Sequence, residues 1–239
     1  MTIFVLVHGA CHGSWCWQRV IPLLTTAGHR VIAPDLPGMG TDHTALSTVS
    51  ISSWAHFIAD LLEQQSEPVI LVGHSRAGAV ISQAAEYAPQ MLRCLVYLTA
   101  YLIPDGTAIN DLLRQYPRAP ERAHDFIISP DRRFISITPQ GMRQHFYNTT
   151  PEPWVTRAIE QVGLEPMSSF ETSLSLSAHR FGRVPRAYIE CLQDYAIPLA
   201  LQKQMQLTLP CDPVLTLDTD HSPFYSAPDL LAARLIDLG

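Results

Sequence analysis

Val69-Ile70-Leu71-Val72-Gly73-His74-Ser75-Arg76-Ala77-Gly78 is the stretch on which the fold turns, and it runs on into Ala79-Val80-Ile81-Ser82-Gln83-Ala84-Ala85. Four apolar, mostly β-branched residues read as a buried strand, and the alanine-rich segment as a helix. A serine placed at the sharp turn between them is presented clear of both elements, provided the positions two before and two after it are small. Gly73 and Ala77 meet that demand, and Gly78 keeps the start of the helix slender. A serine hydroxyl is a weak nucleophile unless a neighbouring base activates it, so this turn directs the search toward a histidine and a carboxylate. The plain alternative is a polar turn joining a strand to a helix.

Strand and helix alternate outward from this turn in both directions. Ile3-Phe4-Val5-Leu6-Val7 reads as a first strand that ends at His8-Gly9-Ala10, followed by a helix from Gln18 to Ala27 that stops at Gly28. His29 to Pro34 is a second strand, Asp35 to Gly40 a loop rich in Pro and Gly, and Ser50 to Gln65 a helix with Ile51, Trp54, Ile58 and Leu62 on one face. After the helix from Ala77 to Ala88, strands follow at Arg93–Leu98, Arg186–Cys191 and Pro213–Leu217, and a last helix near Ala227–Leu238. The pattern predicts an α/β fold with an about six-stranded, mostly parallel sheet. Between about 104 and 184 the alternation breaks into weak helical stretches near 108–115 and 139–147. We read a helical lid inserted into a single domain spanning 1–239.

Composition narrows the function. A net charge of −6 with no basic run argues against nucleic acid, and no apolar stretch reaches the roughly 18 residues needed to cross a bilayer. The N-terminus enters a strand at once, without a basic flank or small-residue cleavage site, so no signal peptide is expected. Five cysteines without C-x-x-C spacing read as thiols of a reducing compartment, the cytoplasm. His8 and His12 stand four apart in a glycine-containing loop with no third ligand, so no metal is expected, and no cofactor is called for.

The strand–turn–helix at Ser75 resembles the nucleophile elbow of α/β-hydrolases, in which the order along the chain is Ser, then Asp or Glu, then His. His221 lies in Thr219-Asp220-His221-Ser222-Pro223, beyond the last strand, and is the expected base. The acid is expected just past the preceding strand, at Asp194, with Asp105 as the competing candidate; Asp218 and Asp220 are too near His221 in sequence to face its ring. Acyl transfer also needs two donors aimed at the developing negative charge, and the amides of Ala10 and Arg76 are the expected oxyanion hole. Phe126, Phe134, Phe146, Tyr147, Trp154, Phe170 and Phe181 are candidates to line a substrate pocket under the lid, with Phe126, Phe146, Tyr147 and Trp154 the leading four.

Phe4 to Trp17, Ala27-Gly28-His29-Arg30-Val31, Gly73-His74-Ser75, Asp194 with Ile197-Pro198, and Asp220-His221 with Pro228 together resemble the plant methylesterase and hydroxynitrile lyase group of α/β-hydrolases, and similar bacterial pyrethroid hydrolases. The resemblance covers nearly the whole chain outside the insertion. It implies a Ser75–Asp194–His221 triad, Ala10 and Arg76 as oxyanion donors, and a small-molecule ester as partner. Arg76 departs from the group, which usually has an apolar residue after the serine. Its side chain is expected to pair with a nearby acid, a substrate carboxylate or carbonyl being the alternative. The fold hosts several chemistries, so three readings stand: a serine carboxylesterase acting on a small to medium apolar ester, a hydroxynitrile lyase, and a non-catalytic ligand receptor. The lyase implies a lysine after the catalytic histidine, whereas Ser222 stands there and the single lysine is Lys203. The physiological ester and the oligomeric state, a homodimer included, are not written in the sequence.

Overall fold

A computed structural model describes residues 1–116 and 124–239. In chain order it contains β1 (Ile3–Val7), α1 (Ile21–Thr26), β2 (Arg30–Ile32), α2 (Ile51–Glu63), β3 (Val69–His74), α3 (Ala77–Tyr87) and β4 (Leu92–Leu98). There follow α4 (Ile109–Gln115), β5 (Phe126–Ile128), β6 (Phe134–Ile137), α5 (Pro139–Gly141), α6 (Glu152–Ile159), β7 (Glu165–Pro166) and α7 (Ser168–Glu171). The chain closes with β8 (Arg186–Cys191), α8 (Leu199–Thr208), β9 (Val214–Leu217), α9 (Pro223–Ser226) and α10 (Pro228–Asp237). Six strands form one sheet in the order β2-β1-β3-β4-β8-β9, and every pairing in it is parallel.

Alternation along the strands divides the core between the two faces of the sheet, because successive strand residues point to opposite sides. Ile3, Val5 and Val7 pack with Trp54 and Ile58 of α2 and with the small residues of α3. Phe4 and Leu6 pack on the other face with Trp17, Leu24 of α1, and Leu231 and Leu235 of α10. The chain leaves β1 for β2 on one side and resumes with β3 on the other. Such a reversal opens a crevice at the carboxyl ends of the two strands, and His8-Gly9-Ala10 and Ser75 stand there, just beyond the paired Val7 and Gly73. Among the described residues no helix is long and apolar enough to cross a membrane.

The insertion between β4 and β8 corrects one expectation, because it is not wholly helical. It carries a second, three-stranded antiparallel sheet, β5-β6-β7, with Phe126 opposite Ile137 and Phe134 opposite Pro166. Phe126-Ile127-Ile128 and Phe134-Ile135-Ser136-Ile137 are β-branched and aromatic, types that favour strands. Five residues containing Pro130 join them, and Arg132 takes a left-handed φ of 58° to close the turn. The predicted helix at 139–147 is only the short α5 followed by a π-turn, Met142–Phe146. Of the two terminal helices, the one expected at Gln18–Ala27 is split and the one expected near Ala227–Leu238 forms as α10. Pro22 sits in the first turn of α1, which follows a 3₁₀ turn at Ser14–Arg19, and Pro228 starts α10 one residue after the short α9.

Candidate active site

The turn after β3 forces the main chain of Ser75 into the left-handed region, at φ 54°. That conformation is costly for a residue with a Cβ and persists only where surrounding bonds hold it. Here the Ser75 N–H donates to the Leu98 carbonyl (3.3 Å), and the Ser75 carbonyl accepts from Gly78 (3.1 Å) and Tyr101 (3.0 Å). The small neighbours are sterically required. A Cβ on Gly73 would come within 2.8 Å of the Ala77 carbonyl oxygen, and one on Gly78 within 2.2 Å of that of Tyr101. Gly9 is needed for the same reason, since its Cβ would meet His74 Nδ1 at 2.7 Å and Ser75 Cβ at 2.9 Å. The loop after β1 thereby lies directly on the elbow.

His221, in the loop after β9, donates from Nδ1 to Asp194 Oδ2 at 2.6 Å, and both side chains are fully buried. A carboxylate only accepts, so a proton is assigned to Nδ1, which leaves Nε2 as the nitrogen that can take or give a proton. Nε2 is buried and has no hydrogen-bond partner among the described residues. Asp194 is held by three further donors: the Thr99 hydroxyl on Oδ2, and the N–H groups of Ala196 (2.7 Å) and Ile197 (2.8 Å) on Oδ1. Asp105, the competing acid, instead accepts the Leu176 N–H at 2.7 Å. Asp220 braces the histidine loop, accepting from Thr149 and Thr150 on one oxygen and from Ser222 and Ser226 on the other.

Three more histidines crowd this end of the sheet, and each is neutral. Burial, aided by the Arg76 charge, pushes His8 down to about 3, and burial pushes His12 down to about 4 and His74 well below the ordinary imidazole value. Their bonds fix the tautomers. His8 donates from Nδ1 to Gly9 O (3.0 Å) and accepts the Leu36 N–H at Nε2 (3.1 Å). His12 donates from Nδ1 to Ala10 O (2.7 Å) and accepts the Tyr147 hydroxyl at Nε2 (2.6 Å). His74 donates from Nε2 to the carbonyl of His221 (2.8 Å), tying the elbow to the histidine loop, with the two rings 4.7 Å apart.

Ala10 and Ser75 line a cleft that opens to solvent, the kind of concave, mostly apolar site that receives a small organic molecule. Phe126, Phe146 and Phe170 stand on its wall, and the polar groups there include Asn110, Ser136 and Glu165. Phe146 also sets an edge against the His221 ring, with centroids 5.0 Å apart. Tyr147 and Trp154 are not on this wall. Tyr147 is used by His12, and Trp154 lies against Tyr225 (5.1 Å) and beneath the Arg19 guanidinium (4.8 Å). Phe181 is in the core, and Phe134 lines a separate surface pocket. Cys11 lies on the cavity wall too, but burial pushes its thiol far up, which leaves it without thiolate character.

The Arg76 side chain finds an acid, as its position led us to expect. Its Nε donates to Glu165 Oε1 at 2.9 Å, both side chains are fully buried, and the guanidinium lies 4.2 Å from the Trp54 ring centroid. Sequence reading missed Glu165 and Thr99, since each acts across more than 80 residues of chain. Among the described residues no three His, Cys, Asp or Glu side chains gather as metal ligands.

Comparisons with known proteins agree with the fold. The family model described as alpha/beta hydrolase family matches residues 4–234. Methylesterase 7 of Arabidopsis thaliana is 33% identical over 251 residues, covering 98% of this chain and 95% of the relative. The pyrethroid hydrolase of Sphingobium wenxiniae is 33% identical over 249 residues, covering 99% and 87%. Among solved structures, polyneuridine aldehyde esterase superposes with a TM-score of 0.91 at 26% identity, covering 100% of this chain and 99% of that one.

Proposed function

The chain belongs to the α/β-hydrolase family, related to plant methylesterases and bacterial pyrethroid hydrolases, and from that premise we propose that it is a serine carboxylesterase using Ser75, His221 and Asp194. The observation that carries the reading is the buried His221–Asp194 pair, whose Nε2 has no hydrogen-bond partner among the described residues and whose loop is tied, through His74, to the elbow that holds the strained Ser75. Ser75 Oγ attacks the ester carbonyl while His221 Nε2 takes its proton, and Asp194 stabilises the resulting imidazolium. The carbonyl oxygen becomes an oxyanion that accepts from the N–H groups of Ala10 and Arg76. Collapse of that intermediate expels the alcohol, protonated by His221, and leaves an acyl group on Ser75. Water, deprotonated by His221, attacks the acyl carbonyl, and the free acid departs.

The aromatic and aliphatic cavity wall supports an apolar, uncharged ester of small to medium size. On this reading the chain works as one domain, and the insertion at 104–184 acts as a lid whose Phe146 faces both the cavity and the imidazole. Against the lyase reading, Lys203 is exposed on α8 and Ser222 follows His221. The test is a fluorophosphonate: the protein is expected to gain one covalent adduct, mapped by mass spectrometry to Ser75, and to hydrolyse members of an acyl and alcohol ester series. Ser75→Ala should lose both properties while keeping its fold. A purified protein that takes up no adduct and cleaves no ester would instead support a ligand receptor.

A further inference from the structure

Resting on that hydrolytic reading, we propose that the Arg76–Glu165 ion pair is a positioning device for the Ala10 N–H, and that it works only while β7 of the insertion is docked. The argument begins with one peptide unit. The Gly9 carbonyl and the Ala10 N–H belong to the same planar trans peptide and point in opposite directions. Arg76 Nη2 donates to the Gly9 carbonyl at 3.2 Å, beside the His8 Nδ1 bond at 3.0 Å. Holding that oxygen toward the guanidinium turns the Ala10 N–H the other way. Gly9 has no Cβ to resist rotation of this peptide, yet close approach to His74 and Ser75 forbids any larger residue there. The orientation must therefore be imposed from outside.

Glu165 secures the next residue in the same manner. Its Oε2 accepts the Cys11 N–H at 2.9 Å, while the Gly163 N–H donates to the Cys11 carbonyl at 2.8 Å. Cys11 is held in the left-handed region, at φ 63°, so two bonds from residues 163–165 of the insertion maintain a strained step immediately after Ala10. Stability alone does not account for this arrangement. Buried ion pairs are often no more stabilising than apolar side chains of similar volume, and Arg76 Nη1 is buried with no hydrogen-bond partner among the described residues. Through Glu165, which also stands on the cavity wall, the seating of the insertion and the readiness of the oxyanion donor become one event.

The test uses the full chain and an ester that the wild type hydrolyses. Arg76→Leu, Glu165→Gln and the double variant Arg76→Leu/Glu165→Leu are compared for kcat, KM and affinity for a trifluoromethyl ketone, whose hemiketal oxyanion needs the Ala10 N–H. An unreactive ether of the same shape reports cavity binding alone. Arg76→Leu should lower kcat by about 10- to 100-fold, somewhat less than deletion of a whole oxyanion donor. KM should stay within about threefold, ketone affinity should fall by a similar factor to kcat, and ether affinity should hold. Glu165→Gln, which keeps an acceptor for the Cys11 N–H, should lose less, and the double variant should resemble Arg76→Leu without a stranded charge. Folded variants with wild-type kcat and ketone affinity would overturn the proposal. So would a parallel loss of ketone and ether binding, or failure of all three variants to fold, because the pair would then be a requirement of the cavity or of the fold. A wild type that takes no fluorophosphonate at Ser75 overturns the hydrolytic reading itself, a result separate from any of these.

Discussion

Mild acid should destabilise this protein through three buried imidazoles. His8 is held at about 3, His12 at about 4, and His74 well below its ordinary value, chiefly by burial. In the unfolded chain each titrates near 6.5. Between those values the unfolded state binds more protons than the folded one, so stability falls as pH falls. The full contribution is present above about pH 6.5 and is lost progressively toward the folded values, near 4 for His12 and near 3 for His8. For a group still neutral in the fold at pH 5, RT ln(1 + 10^1.5) gives about 2 kcal/mol, so His8 and His12 together give about 4 kcal/mol, and His74 acts in the same direction. That approaches the lower end of the whole stability of an ordinary domain, about 5–15 kcal/mol. Carboxylates held low act in a separate window, below about pH 4; Asp35 is one, where N–H donors from Ser14 and Thr41 outweigh the upward push of burial. Urea unfolding followed by tryptophan fluorescence near pH 7, 6 and 5 measures the slope. A fall of less than about 1 kcal/mol between pH 7 and 5 would refute the reasoning, as would NMR signals assigned to His8, His12 and His74 of the folded protein that titrate near 6.5.

Two further outcomes test the site and its frame. Asp194→Asn should cut kcat by about 10⁴, as loss of the orienting carboxylate does in serine triads, because an amide cannot serve Thr99, His221 and two main-chain donors at once; steady-state kinetics against Asp105→Asn decides it, and a larger loss in the Asp105 variant would reverse the assignment. Gly78→Ala should destabilise by about 1–3 kcal/mol through overpacking, since its methyl would lie 2.2 Å from the Tyr101 carbonyl oxygen; urea titration at neutral pH reads the loss, and an unchanged midpoint would mean that the loop after β4 yields freely.

Much of this protein follows from local patterns that a linear reading can detect. Apolar runs at Ile3–Val7, Val69–His74 and Arg186–Cys191 declare strands buried on both faces, and their alternation with helices dictates a parallel sheet. The small residues around Ser75 announce its turn because the steric demand there is local. The β5–β6 hairpin was also visible in principle, as two β-branched runs about a Pro-containing turn, but each run is too short to stand out from an irregular insertion. What only the tertiary structure decides are the long-range partnerships. Choosing Asp194 over Asp105 depends on which loop reaches the imidazole, and the roles of Thr99 and Glu165 depend on contacts spanning 95 and 89 positions. The same is true of the aromatic side chains, where Phe146 meets the cavity and its neighbour Tyr147 does not. Hydrophobic periodicity encodes which side of an element is buried, because that is a property of a few consecutive residues. Hydrogen bonds between distant loops leave no such periodic trace, because their geometry exists only once the sheet has brought the loops together.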